Sequence, residues 1–109
     1  MAKITLRNSF LQIYEETTNY SYQNFGRLCV QRFDESLQAI INRLSKHPLS
    51  SPREPLLKRF YRPYHSAIIK ENWKIIYRYD EANDLVIFVD LWDMRRSPRF
   101  LIRQFKRKL

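Results

Sequence analysis

An α+β domain is predicted: a short N-terminal strand and a helix hairpin packed on a twisted antiparallel sheet of three to four strands, with a C-terminal helix. Three features predict it. Apolar residues recur at helical spacing through the first half of the chain, the period changes to alternation after Pro63, and a Ser97-Pro98 pair opens a last amphipathic segment. The length of 109 residues suits one hydrophobic core, so residues 1–109 are read as a single domain without repeats.

Lys3 to Arg7 is a short β-compatible piece, the expected first strand. Asn8 or Ser9 is then placed to cap a helix in which Phe10, Ile13, Tyr14 and Thr17 share a face. Asn24 opens a longer helical pattern. Phe25, Leu28, Cys29, Phe33, Leu37, Ile40, Ile41 and Leu44 form its apolar stripe, and Pro48 stops it. Two amphipathic helices with a short connection pack as an antiparallel hairpin.

Prolines and serines from Pro48 to Pro55 mark a loop. Tyr64 to Lys70, a polar break at Glu71-Asn72, and Trp73 to Tyr79 then read as two strands. In the second, Trp73, Ile75, Tyr77 and Tyr79 share one face, while Lys74, Ile76 and Arg78 share the other. Asp80 to Asp84 is a turn. Leu85 to Trp92 is nearly unbroken apolar sequence, as expected of a central strand covered on both faces. Ser97 caps the last helix with Pro98 at its favoured first position.

Composition narrows the function. Twenty Lys and Arg against eleven acidic residues give a net charge of +9, with a pI near 10.0. A field of that sign attracts polyanions: nucleic acid, ribosomes, an acidic protein or an anionic membrane. The single glycine, Gly26, excludes glycine-rich phosphate loops. Cys29 stands alone, which rules out an intrachain disulfide and a cysteine metal cluster; its place in the stripe reads as a small core hydrophobe. Met1 to Thr5 lacks the apolar stretch of a secretion signal and no run approaches a bilayer span, so a cytoplasmic protein is expected, with no membrane partner.

The helix hairpin, the proline-marked loop, Trp73-Lys74-Ile75-Ile76-Tyr77-Arg78-Tyr79-Asp80 and Leu91-Trp92-Asp93-Met94-Arg95-Arg96-Ser97-Pro98 together resemble the RelE/ParE family, the plasmid-stabilisation toxins of bacterial type II toxin–antitoxin systems. The resemblance runs from about Ile4 to Phe105 and rests on the order and spacing of short motifs. It implies a growth-inhibiting toxin neutralised by a cognate antitoxin, expected to be acidic and to form a 1:1 or 2:2 complex, the latter a heterotetramer. One branch, similar to RelE, enters the ribosome and cleaves mRNA; the other, similar to ParE, acts on DNA gyrase. Both share one fold, so fold does not choose between them. A basic RNA-binding module without an antitoxin is the remaining alternative.

Metal-independent RNA cleavage needs a base, an acid and cations around the phosphate, with no metal or cofactor. By the resemblance, Lys74 stands where the family has a sheet arginine, Lys70 ends the preceding strand, and Arg95 and Arg96 match the basic pair after the last strand. His65 is the remaining titrating group able to supply an acid or base. The candidate catalytic residues are therefore Lys74, Arg95, Arg96 and His65. Candidate nucleic-acid contacts are Lys70, Lys74, Arg78, Arg95 and Arg96. The set departs from the nuclease pattern: Ser66 and Ile68 replace basic residues, Asp93 stands where related toxins have histidine, and no tyrosine follows Tyr79. An endoribonuclease and a non-catalytic binder both remain open. Convergence of Lys74 with Arg95 or Arg96 requires that the Lys74 face of the sheet be open.

Overall fold

A computed structural model describes residues 1–109. The elements run β1 (Lys3–Leu6), α1 (Asn8–Phe25), α2 (Arg27–Lys46), a single 3-10 turn (Pro55–Leu57), β2 (His65–Ile69), β3 (Trp73–Asp80), β4 (Leu85–Asp93) and α3 (Pro98–Lys106). The expected α+β order holds throughout.

The sheet order is β1-β4-β3-β2. Strands β2, β3 and β4 form the antiparallel meander that their tight polar turns require. β1 instead lies parallel to β4, so the sheet is mixed rather than antiparallel. The long helix hairpin between β1 and the meander carries the chain back, which permits parallel pairing. On β1, Ile4 and Leu6 pack into the core while Lys3 and Thr5 stay exposed, the pattern of an edge strand.

The helix boundaries differ from those expected. Neither Asn8 nor Ser9 caps α1: Arg7 holds the capping position without a side-chain bond. The two helices are separated by Gly26 alone, and Asn24 sits inside α1 with its amide donating to the Tyr20 carbonyl. Gly26 has φ of +87°, the left-handed region that costs a glycine little. The hairpin tip therefore extends beyond the sheet. Phe25 and Leu28, expected in the core stripe, are exposed, and Cys29 is only half-buried.

Two cores flank the sheet. On one face the helices contribute Phe10, Phe33, Ile40 and Leu44 against Ala67, Ile69, Ile75, Tyr77, Val86, Phe88 and Leu91. On the other, α3 and the 3-10 turn bring Leu101, Phe105 and Leu57 onto Ile76, Ile87, Val89 and Trp92. Seven consecutive β4 residues, Val86 to Trp92, are buried. A bulge lets this run serve both faces: β3 residues Ile76 and Tyr77 pair with Asp90 and Phe88, leaving Val89 as the extra residue. The Val89 carbonyl, outside the ladder, accepts from the Ser9 hydroxyl at 2.6 Å. Ser97 caps α3 as expected, its hydroxyl accepting from the Phe100 amide at 3.2 Å.

Ile87 belongs to the core beneath α3. Ile87→Ala should lower stability by roughly 2–5 kcal/mol in chemical denaturation. A change below about 0.5 kcal/mol, the range of surface substitutions, would contradict burial of β4 on that face.

Candidate functional site

The alternation of β3 sends Lys74 to the α3 face, across from Trp92. That face is not open. The 3-10 turn and α3 cover it, and Lys74 Nζ donates to Glu54 Oε1 at 2.7 Å. The Glu54 side chain is 1% exposed and that of Lys74 19%. Glu54 also accepts from the Leu56 amide at 3.1 Å, which fixes the loop to the sheet. The expectation of an accessible Lys74 beside Arg95 or Arg96 is not met, because a second core occupies the space. The opposite face does receive the helix hairpin, as expected.

His65 opens β2 across from Tyr77 and stacks on that ring, with centroids 5.4 Å apart. Its Nδ1 lies 2.9 Å from the Ser51 carbonyl. Tyr77 is four residues along β3 from Trp73, about 13 Å at strand spacing. His65 is thus separated from Arg95 and Arg96, which follow the strand end opposite Trp73. Arg78 lies farther still, paired with Ile87.

Three of the named cations do come together. Lys70, Arg95 and Arg96 line a groove of about 970 Å³ between the hairpin tip and the end of the sheet. Tyr20, Phe25 and Cys29 form its helical wall; Trp73 and Phe100 line the other side. Lys70 occupies the β2–β3 turn, where it and Glu71 both have positive φ, at 49° and 37°. Such angles are unfavourable for side chains with a Cβ and are held here by the hairpin pairing on either side. Arg96 lies over the Phe100 ring at 4.8 Å. Arg95 grips Asp93 through Nε at 2.9 Å and Nη2 at 3.1 Å, and its amide donates to the same carboxylate.

These bonds from Arg95 hold the Asp93 carboxyl below its ordinary range, against a smaller opposing effect of burial. Arg95 is stabilised in its charged form by the same contact. Glu16 and Glu71 also border the groove, and no histidine does. The arrangement suits binding of an anionic or aromatic surface. No three His, Cys, Asp or Glu side chains converge as a metal-ligand set.

Two buried acids escaped the sequence reading. Glu54 gave no signal, since a loop carboxylate is ordinarily solvated. Asp90 did give one: a carboxylate inside an apolar run must find partners. It is fully buried and accepts from Trp92 Nε1 at 2.8 Å, Gln104 Nε2 at 3.1 Å and Lys108 Nζ at 2.5 Å. The groove aromatics Tyr20 and Phe25 were missed because a stripe pattern does not reveal where the sheet beneath it ends.

Helix hairpin, mixed sheet and basic groove define a small α+β protein with a core on each face of its sheet. Residues 4–98 match the family model described as the ParE toxin of type II toxin–antitoxin systems, parDE, and the chain belongs to that family. Membership implies a cognate antitoxin as partner. No curated protein matches. Among solved structures, the chain is similar to a copper-bound mutant toxin from Helicobacter pylori at 22% identity, with a TM-score of 0.60, covering 87% of this chain and 97% of that one. A metal-bound toxin from the same organism is similar at 15% identity and a TM-score of 0.57, with the same coverage. These likenesses concern the fold. No helix is long and apolar enough to cross a membrane.

Lys74→Met should cost roughly 3–5 kcal/mol, because it leaves the Glu54 carboxylate buried without its cation. Joint replacement with Glu54→Gln should recover most of that loss; equal instability of the single and double variants in urea unfolding would contradict the pairing. The Asp93–Arg95 contact makes a separate prediction for pH. A carboxyl with a depressed folded pKa contributes its full stability above the unfolded value, about 3.9, and loses it as pH falls through the folded value. Carboxyl NMR titration should place the Asp93 midpoint below that of an unpaired aspartate, and Arg95→Gln should raise it.

Proposed function

We propose that this protein inhibits growth by binding DNA gyrase through the groove lined by Lys70, Arg95 and Arg96, without cleaving RNA. One observation carries the reading. Lys74 is committed to Glu54 in the second core, so the cation that a sheet-face nuclease centre would use is withdrawn from the groove. His65 is likewise engaged with Ser51 and Tyr77 elsewhere. What remains is a recognition surface: two arginines, one held by Asp93 and one over Phe100, beside aromatic side chains of the hairpin tip. Arginine and aromatic residues in a depression are the usual composition of energetically dominant protein contacts.

The antitoxin completes the proposal. An excess of nine positive charges favours an acidic partner, and an extended segment able to wrap the domain can reach both groove and sheet edge in a 1:1 or 2:2 complex. Expression of the chain alone should slow growth, and co-expression of the antitoxin should relieve it.

The decisive experiment compares ATP-dependent supercoiling by purified gyrase with mRNA integrity in a purified translation system, each with added toxin. Inhibited supercoiling with intact mRNA is expected. Arg95→Gln with Arg96→Gln should weaken that inhibition on the order of tenfold while the melting temperature stays near that of the parent. Ribosome-dependent cleavage of mRNA with unimpaired supercoiling would overturn the reading.

A further inference from the structure

A second cationic surface lies at the other end of the sheet, on the α3 side. Thr5, Ile87 and Arg78 fall in one row across β1, β4 and β3. Arg7 follows Thr5 by two residues in extended backbone, φ −70° and ψ 155°, and so projects to the same face. Arg62 reaches this place from the segment after the 3-10 turn. It lines, with Arg78, Tyr79, Asp80 and Glu81, a shallow depression of about 450 Å³. Arg78 is five residues along β3 from Trp73, so the depression is about 17 Å from the groove by strand rise.

Arg7 and Arg62 both lie close enough to act on the charge of Arg78, and none of the three arginines is held in a salt bridge. The ion pairs of the structure join Lys74 to Glu54, Arg95 to Asp93 and Lys108 to Asp90; none includes Arg7, Arg62 or Arg78. Partial burial, then the charges of Arg62 and Arg7, make the Arg78 guanidinium easier to deprotonate than usual. Asp80, whose charge partly offsets that of Arg78, also accepts from the Asn83 side-chain amide at 2.8 Å within the β3–β4 turn. Glu81 remains at the rim as a local opposing charge.

The neighbouring segment adds an aromatic ring with no structural use. In Lys58-Arg59-Phe60-Tyr61-Arg62, Phe60 packs edge-on against Phe105 with centroids 5.3 Å apart. Tyr61 is thereby turned outward and is wholly exposed. A polar depression lined by Arg62 and Arg78, with Arg7 projecting to the same face, lacks the apolar pocket that a peptide would need as its main contact. It does suit successive phosphates, and an exposed ring beside it suits an unpaired base.

We propose that Arg7, Arg62 and Arg78, together with Tyr61, bind single-stranded nucleic acid: the arginines hold the phosphodiester backbone and Tyr61 stacks a base. The site is distinct from the groove and its test does not depend on the gyrase reading.

The test is direct binding of the full-length protein to a labelled oligonucleotide of about 12 nucleotides, within the span of known single-strand sites. RNA, DNA and the matching duplex are compared over a salt series. The parent should bind single strands more tightly than duplex, with affinity falling as salt rises. Arg7→Gln, Arg62→Gln and Arg78→Gln combined should flatten the salt dependence by about 2 logarithmic units per decade, three contacts at about 0.7 each. A charge-matched control, Arg27→Gln with Arg32→Gln and Lys46→Gln, should leave most of that slope. Tyr61→Ala, at a fully exposed position, should weaken single-strand binding about tenfold with the slope unchanged. An equal loss of slope in the two triple variants would reduce the effect to net charge and overturn the site. So would a poly-glutamate peptide that binds as tightly as the oligonucleotide, or an inert Tyr61→Ala.

Discussion

Everything in this molecule depends on β4 being buried on both faces. A strand that is apolar from Val86 to Val89 and again at Leu91 and Trp92 cannot rest against one layer, so the chain must build two. The helix hairpin supplies one; α3 and the proline-rich loop supply the other. The bulge at Val89 divides the run between them, since it places Phe88 and Leu91 on the hairpin side and Val89 and Trp92 on the α3 side. Ser9, at the start of α1, closes the hydrogen bond that the bulge leaves open.

The second layer determines the electrostatics. Lys74 and Asp90, the charged side chains of β3 and β4 that lie beneath the 3-10 turn and α3, are taken out of water and each is matched by an opposite charge. Lys74 finds Glu54, which ties the 3-10 turn to the sheet; Asp90 finds Lys108 and Gln104, which tie down the end of α3. Buried pairs of this kind add little net stability compared with apolar packing, yet each is costly to break in half. Their effect is therefore to fix where loop and helix sit. They also withdraw Lys74 from the accessible surface, so the accessible cations are found around the rim of the domain rather than at its centre.

That redistribution gives the surface two basic regions of different character. The groove at the hairpin tip mixes arginines with aromatic rings and carboxylates, a composition suited to a folded protein partner. The far rim holds guanidiniums without carboxylate bridges beside one outward ring, a composition suited to a flexible polyanion. Both lie on a scaffold whose ParE family membership implies an antitoxin, and an acidic partner would encounter the same positive field at either region.

Much of the fold was legible in the sequence because periodicity and capping are local. The stripe from Phe33 to Leu44, the alternation in β3, the apolar run of β4 and the Ser97-Pro98 start of α3 each report the element that they form. The short motifs around Trp73 and Arg95, read in order, also pointed to the toxin family. The tertiary structure alone decided that β1 pairs in parallel, that Gly26 divides the helices, and that Phe25 overhangs the sheet into a groove. It also decided the fate of each candidate cation. Lys70, Arg95 and Arg96 share a surface while Lys74, His65 and Arg78 do not. The reason is physical: a side chain's neighbours across a sheet or beneath a loop are set by register and layer packing, and Glu54, twenty positions from Lys74, carries no local mark that it will be buried against it.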